Sequence, residues 1–220
     1  MMNFTDRLHE AGKALWHKSM VHPFIKELQS GELPIATFKF YLLQDRYYLR
    51  EFSKLHELIA AKTDNQEVKE FLLAGAQDLK DVEISVRGHF FEELNITATE
   101  IAETPVAPTA YNYVNHMHMT LKRSGVKPAV AALLPCYWLY QEIGQKMAEK
   151  GSPVSYYQEW IDTYDGEWYG ANVAKMLHLT NSLAESATNE ELEQMQTAFV
   201  RSSYYELQFW QMAYEKQDWK

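Results

Sequence analysis

A single cysteine, Cys136, stands in a chain of 220 residues, so no intrachain disulfide framework forms and the thiol is either inert packing or a group used in chemistry. Helical spacing puts it on the apolar stripe Ala129, Leu133, Cys136, Tyr140, Ile143 and Met147, facing inward with Tyr140 one turn away. Two acids hold comparable positions. Steps of three and four give Ile35, Phe38, Leu42, Asp45, Leu49, Phe52, His56 and Ile59 on one helix, and Leu192, Met195, Phe199, Ser202, Glu206, Phe209 and Ala213 on another. A buried carboxylate without partners is costly or stays protonated, so Asp45 and Glu206 occupy slots that burial alone gives to leucine. Taken singly, an inward acid is as readily a structural hydrogen-bonding group as a functional one. A thiol and two acids on three inward stripes imply one shared polar pocket. Glu83 meets the same count on the stripe Leu72, Ala76, Leu79, Glu83, Val86 and Phe90, and reads as structural or interfacial.

Aromatic residues crowd these positions: Tyr47 and Tyr48 beside Asp45, Tyr137, Trp138 and Tyr140 beside Cys136, and Tyr204, Tyr205, Phe209 and Trp210 around Glu206. Most are core, but a pocket walled by tyrosine hydroxyls suits a flat heteroaromatic ligand that stacks on faces and hydrogen-bonds at its edge. Pro135 removes the helical bond to the Ala131 carbonyl, which either opens the helical wall in front of the thiol or merely bends a core helix. No metal is expected. The sequence holds no Glu-x-x-His pair and no HExxH spacing, His116 and His118 point to different helix faces, and one thiol cannot build a cysteine-rich zinc site. The glycines form no phosphate-cradling loop.

The elements that must position these residues read as helices. Only 9 Gly and 7 Pro punctuate a chain that is 46% hydrophobic, and the stretches between them carry three-and-four spacing rather than alternation. The expected helices run over 5–19, 23–29, 34–61, 66–93, 109–123 and 127–150, then 156–164, a stretch ending near Ser186, and a last helix to about Lys216. Thr97 to Glu100 and Thr188 to Glu191 match capping boxes, Thr104 to Pro108 reads as loop, and Thr109 as a helix cap. Residues 1–220 are expected to form one all-α domain, with no repeat and no dividing linker. The net charge of −9 and the lack of a basic stripe argue against nucleic acid or anionic membrane as a partner. With no leader-like N-terminus and no long apolar run, a cytoplasmic protein is expected.

The segments LLQDRYYLREF, LLPCYWLYQEIG, TYDGEWY and SSYYELQFWQMAY together resemble the thiaminase II family, the TenA-like aminopyrimidine aminohydrolases, in order and spacing across essentially the whole chain. The resemblance implies a single-domain helical bundle like haem oxygenase, a homotetramer, and no metal or organic cofactor. It also implies hydrolysis of 4-amino-5-aminomethyl-2-methylpyrimidine to the hydroxymethylpyrimidine and ammonia in thiamine salvage, with cleavage of thiamine as a second activity. Carried over residue by residue, Cys136 is the nucleophile, Glu206 the general acid and Tyr48 the tyrosine that activates the thiol. Asp45 binds the pyrimidine's amino edge, Tyr140 and Tyr164 supply pocket hydroxyls, Tyr113 an aromatic wall and Trp138 a further substrate contact. Aromatics near Trp16 and at Phe90-Phe91 are expected to supply subunit interface.

Two other readings stand beside this one. A haem-oxygenase-like or quinone-forming oxidase would need an essential histidine, for which His56 is the candidate. A non-catalytic pyrimidine-binding regulatory protein would use the same pocket without turnover.

Overall fold

In the computed structural model, residues 2–220 are described, except that the side chains of residues 82–87 lie outside the description; the expectation for Glu83 falls among these. Ten helices follow one another: α1 (Phe4–Met20), α2 (Pro23–Ser30), α3 (Ile35–Ala60), α4 (Gln66–Glu93), α5 (Ala98–Glu103), α6 (Pro108–Ser124), α7 (Val126–Ala148), α8 (Ser155–Asp165), α9 (Glu167–Glu185) and α10 (Asn189–Glu215). There are no strands among the described residues, so the all-α reading holds.

The helix starts follow local chemistry. Thr97 Oγ1 accepts from the Glu100 amide while Glu100 Oε2 accepts from the Thr97 amide, and Thr188 and Glu191 repeat the exchange at α10. At α2, His22 Nδ1 accepts the Phe24 amide at 3.1 Å, and Pro23 takes the first helical position. Thr109 is not the cap of α6. Pro108 already supplies the first helical residue, where its missing N–H costs nothing, and the Thr109 amide and hydroxyl both donate to Gln217 Oε1.

The architecture centres on α7. Residues 128–135 of this helix are all buried, because the run PAVAALLP is apolar on every face. Helix α10 packs along α7 over the largest shared face, α3 pairs with α4, and α6, α8 and α9 also lie against α7. One contiguous hydrophobic core results, with the chain wrapped around the helix that carries Cys136. Trp16 and Phe90 belong to this core rather than to an exposed surface: Trp16 is 2% exposed and donates its indole N–H to Ser203 Oγ at 2.9 Å, and Phe90 is 4% exposed. Among the described residues, no helix is long and apolar enough to cross a membrane.

Close helix approach is needed where α8 meets α7. A Cβ built on Gly144 would lie 2.7 Å from Tyr164 Cβ and 2.9 Å from the Tyr164 carbonyl carbon, so any side chain there would push Tyr164 and its helix outward.

Candidate active site

Cys136 follows Pro135 directly, inside an uninterrupted α7. Its side chain is half-buried and opens onto a cavity of about 120 Å³ bounded by α3, α4, α7, α8 and α9. Asp45 and Leu49 line it from α3, Gly75 and Asp78 from α4, Tyr137 and Tyr140 from α7, and Tyr164 and Tyr169 from the α8–α9 side. A cavity of roughly 150 Å³ holds a benzene ring, so this one is on the scale of a single small ring.

Four of the expected site residues therefore share one cavity: Cys136, Asp45, Tyr140 and Tyr164. Tyr140 and Tyr164 approach with ring centroids 4.9 Å apart, and Tyr140 also packs against Trp160, which shares the cavity lining, and against buried Trp210. Asp45 is only 5% exposed, yet it faces this polar end rather than the solvent.

Glu206, Tyr48 and Tyr113 form a buried layer that is not part of the cavity lining. Tyr113 is thus not an aromatic wall of the cavity. It lies sandwiched between Tyr48 and Tyr205, with centroids at 5.0 and 5.3 Å, and donates its hydroxyl to Glu206 Oε1 at 2.7 Å. Burial, reinforced by the negative charge of Asp45 and opposed by the Tyr113 hydrogen bond, pushes the Glu206 carboxyl up to about 8. At neutral pH Glu206 is a neutral acid with a proton to give. The Tyr48 hydroxyl is held protonated, first by burial and then by Cys136, Tyr113 and Glu206 around it, and it completes no well-formed hydrogen bond.

Trp138 does not reach the cavity. Two residues beyond Cys136 is about 200° around the helix, and Trp138 accordingly packs on α1, 5.3 Å from Trp16 and 4.8 Å from His9 between ring centroids. The residue between them, Tyr137, lines the cavity instead and hydrogen-bonds to buried His56 at 2.7 Å. Single-stripe reasoning missed Tyr137 as a site residue. The available signal was Gly75, a glycine inside a helix that would otherwise favour alanine by about 1 kcal/mol; a Cβ there would sit 3.3 Å from the Tyr137 hydroxyl. The one close group of three or more histidine, cysteine or carboxylate ligand atoms among the described residues, His89, Glu93 and Glu159, is exposed and lies off the cavity lining.

Residues 9–216 match the model of the TENA/THI-4/PQQC family. The chain belongs to that family. A relative from Bacillus subtilis (strain 168), named aminopyrimidine aminohydrolase, is 39% identical over 99% of this chain and 92% of its own length. One of the same name from Helicobacter pylori is 29% identical over 97% of this chain and 100% of its own. Among solved structures, the TenA homologue from P. horikoshii OT3 superposes with a TM-score of 0.89 at 29% identity, covering 97% of this chain and 99% of that one. The Pyrococcus furiosus homologue, at 23% identity and a TM-score of 0.87 over 96% of this chain and 99% of its own, shares the fold. In this member of the TENA/THI-4/PQQC family, the cavity lies beside Cys136 on the central helix α7.

Proposed function

We propose that this chain is an aminopyrimidine aminohydrolase, converting 4-amino-5-aminomethyl-2-methylpyrimidine and water to the hydroxymethylpyrimidine and ammonia, with thiamine cleavage as a second activity. The observation that carries this reading is a ring-sized cavity with a thiol on its wall and a neutral buried acid, Glu206, one layer behind its Asp45 end. The names of the Bacillus subtilis and Helicobacter pylori relatives support the same reaction.

Direct displacement at a methylene on an aromatic pyrimidine is slow, and the reaction needs the ring's aromaticity broken first. Asp45, Tyr140 and Tyr164 hold the ring by its amino edge and faces. As the ring seats at the Asp45 end, the Glu206 carboxyl, which lies behind the lining in the substrate-free protein, comes within reach of a ring nitrogen and gives it a proton while Cys136 sulfur adds to the ring carbon beside the substituted one. The thiol proton passes to the amine, the dearomatised adduct expels it as ammonia with its bonding pair, and water adds to the exocyclic methylene, its spare proton returning to the sulfur as that is released. The C–S bond then breaks, the ring regains aromaticity, and Cys136 and Glu206 return to their starting protonation. A neutral Glu206 adds no negative charge near the sulfur, which would otherwise oppose thiolate formation. Tyr48, with its hydroxyl against the Cys136 side chain, is the group that hydrogen-bonds the developing thiolate.

The test is ammonia release from the aminomethylpyrimidine by the purified protein. The expected result is turnover by the unaltered chain and a loss of at least about 10³-fold in Cys136→Ala. Undiminished activity in that variant rejects the nucleophile assignment, and tight product binding with no turnover supports the regulatory-binder reading instead.

A further inference from the structure

Cys136 sits at a weak point of its own helix. Pro135, the residue before it, has no N–H and so makes no helical bond to the Ala131 carbonyl. The turn that leads into the thiol has one backbone tether fewer than a regular turn, and a tether from a neighbouring helix matters more there than elsewhere. Such a tether exists. The Tyr169 hydroxyl, from the first turn of α9, donates to the Cys136 main-chain oxygen at 3.0 Å. A carbonyl only accepts, so the direction of this bond is fixed. In an α-helix the same oxygen also takes the amide four residues on, here that of Tyr140, and Tyr169 supplies a second donor. Burial, and then Cys136, Tyr164, Tyr137 and Glu206 around it, raise the Tyr169 hydroxyl well above the usual tyrosine range, so the donor keeps its proton.

The bond joins two parts of the site. Tyr169 lines the cavity and its ring meets Tyr164 edge-on, with centroids 5.1 Å apart. Tyr164 is itself pressed onto α7 at Gly144, about two turns beyond Cys136. The α8–α9 corner thus grips α7 at two points, at Gly144 through Tyr164 and at Cys136 through the Tyr169 hydroxyl. A wall of the cavity and the sulfur that opens onto it belong to different helices, and chemistry between a seated ring and that sulfur needs their separation held. Reacting atoms have to lie about 3–3.5 Å apart, and a misplacement of about 1 Å costs roughly 100-fold in rate.

We propose that Tyr169 is a positioning residue, whose hydroxyl anchors the Cys136 peptide to the α8–α9 corner and so sets the distance between the thiol and a ring seated against Tyr164. Its effect on rate rests on the hydrolase reading above. The anchor itself does not, because the bond is made in the substrate-free protein, and it is measured without turnover.

The sole cysteine makes the experiment specific. Protein made with cysteine carrying carbon-13 at its carbonyl carbon has one labelled main-chain carbonyl, that of Cys136, whose band is read from the infrared difference against unlabelled protein. Tyr169→Phe keeps the ring and its packing on Tyr164 but removes the donor, and the band should move to higher frequency, as a carbonyl band does on losing a hydrogen bond. Tyr169→para-aminophenylalanine restores an N–H donor and should bring it back. In ammonia release from the aminomethylpyrimidine, Tyr169→Phe should lower kcat about tenfold with KM within about twofold, and the para-aminophenylalanine variant should recover most of the loss. A band that stays in place in Tyr169→Phe overturns the anchor. A band that moves while kcat is unaltered, or a loss of kcat that the restored donor does not reverse, overturns the positioning role. No turnover by the unaltered enzyme overturns the hydrolase reading and the effect on rate with it, whereas the anchor still stands or falls with the band.

Discussion

The Tyr113 hydroxyl donates to Glu206 Oε1 across 2.7 Å, with Tyr113 fully buried and Glu206 only 1% exposed. The hydrogen bond favours the carboxylate, but burial and Asp45 outweigh it, and the group titrates at about 8. This balance makes Glu206 an acid rather than a counter-charge, and two consequences can be measured.

Activity should fall on the alkaline side. As a proton donor in the unliganded enzyme, Glu206 works only while protonated, so kcat/KM should decline above about pH 8. Stability carries the same sign. The folded value lies above the unfolded 4.5, so the folded chain holds the extra proton between the two values; its stability contribution is full below 4.5 and is lost as pH rises through about 8. Glu206→Gln keeps an acceptor for Tyr113 and removes that loss. It should abolish turnover yet be the more stable protein at pH 9, by an amount on the order of 5 kcal/mol at most, read from urea unfolding at pH 4 and pH 9.

Asp45→Asn tests the second contribution. The negative charge of Asp45 helps raise Glu206, so its removal should move the alkaline limb of the kcat/KM profile to lower pH. Losing a charged partner for the ring's amino edge should also cost about 10- to 100-fold in kcat/KM. A profile that keeps its midpoint in this variant would separate the two carboxyls electrostatically.

Asp45, Cys136 and Glu206 were legible because each interrupts an apolar stripe, and a polar atom on a helix face that must be buried is visible without knowing what covers it. The capping boxes at Thr97 and Thr188 were legible for a similar reason, since the partners lie three residues apart in the chain. Thr109 misled because its hydroxyl is claimed by Gln217, a partner 108 residues away. Trp138, about 200° around α7 from Cys136, was already on the far face by helix periodicity, where it meets α1. Tyr137, about 100° away, is the residue periodicity could not place, and only the packing of α3 and α4 decides that its ring meets the cavity. The layer holding Tyr113 and Glu206 behind the cavity is likewise a product of how α6 and α10 meet, which no single stripe encodes.

Trp138→Phe should therefore act on stability rather than on substrate. The indole packs edge-on against Trp16 and tilted on His9, which in turn hydrogen-bonds Glu142 at 2.8 Å. Shrinking the ring should cost about 1–2 kcal/mol, seen as a lower Tm, while KM for the aminomethylpyrimidine stays within about twofold, a difference of about 0.4 kcal/mol. A large rise in KM with Tm unmoved would return Trp138 to the substrate site.

Tyr48→Phe should have the opposite profile. The Tyr48 hydroxyl is buried and completes no well-formed hydrogen bond in the substrate-free protein, so deleting it removes a desolvated group and gives up only its poorly formed contacts with Cys136 and Tyr113. The phenyl ring keeps its stacking on Phe52 and Tyr113, at 5.3 and 5.0 Å between centroids. Thermal stability should be unchanged or slightly raised. Turnover should drop, because the hydroxyl is needed when the Cys136 sulfur becomes anionic; the expected loss in kcat is about 10- to 100-fold, the range of one charge-assisted hydrogen bond. If the hydroxyl serves the thiolate, the rate at which iodoacetamide alkylates Cys136 should also fall at a fixed pH below the thiol's titration, since less of it is ionised. Alkylation and turnover both at the unaltered rate would remove Tyr48 from the mechanism and leave it a core residue.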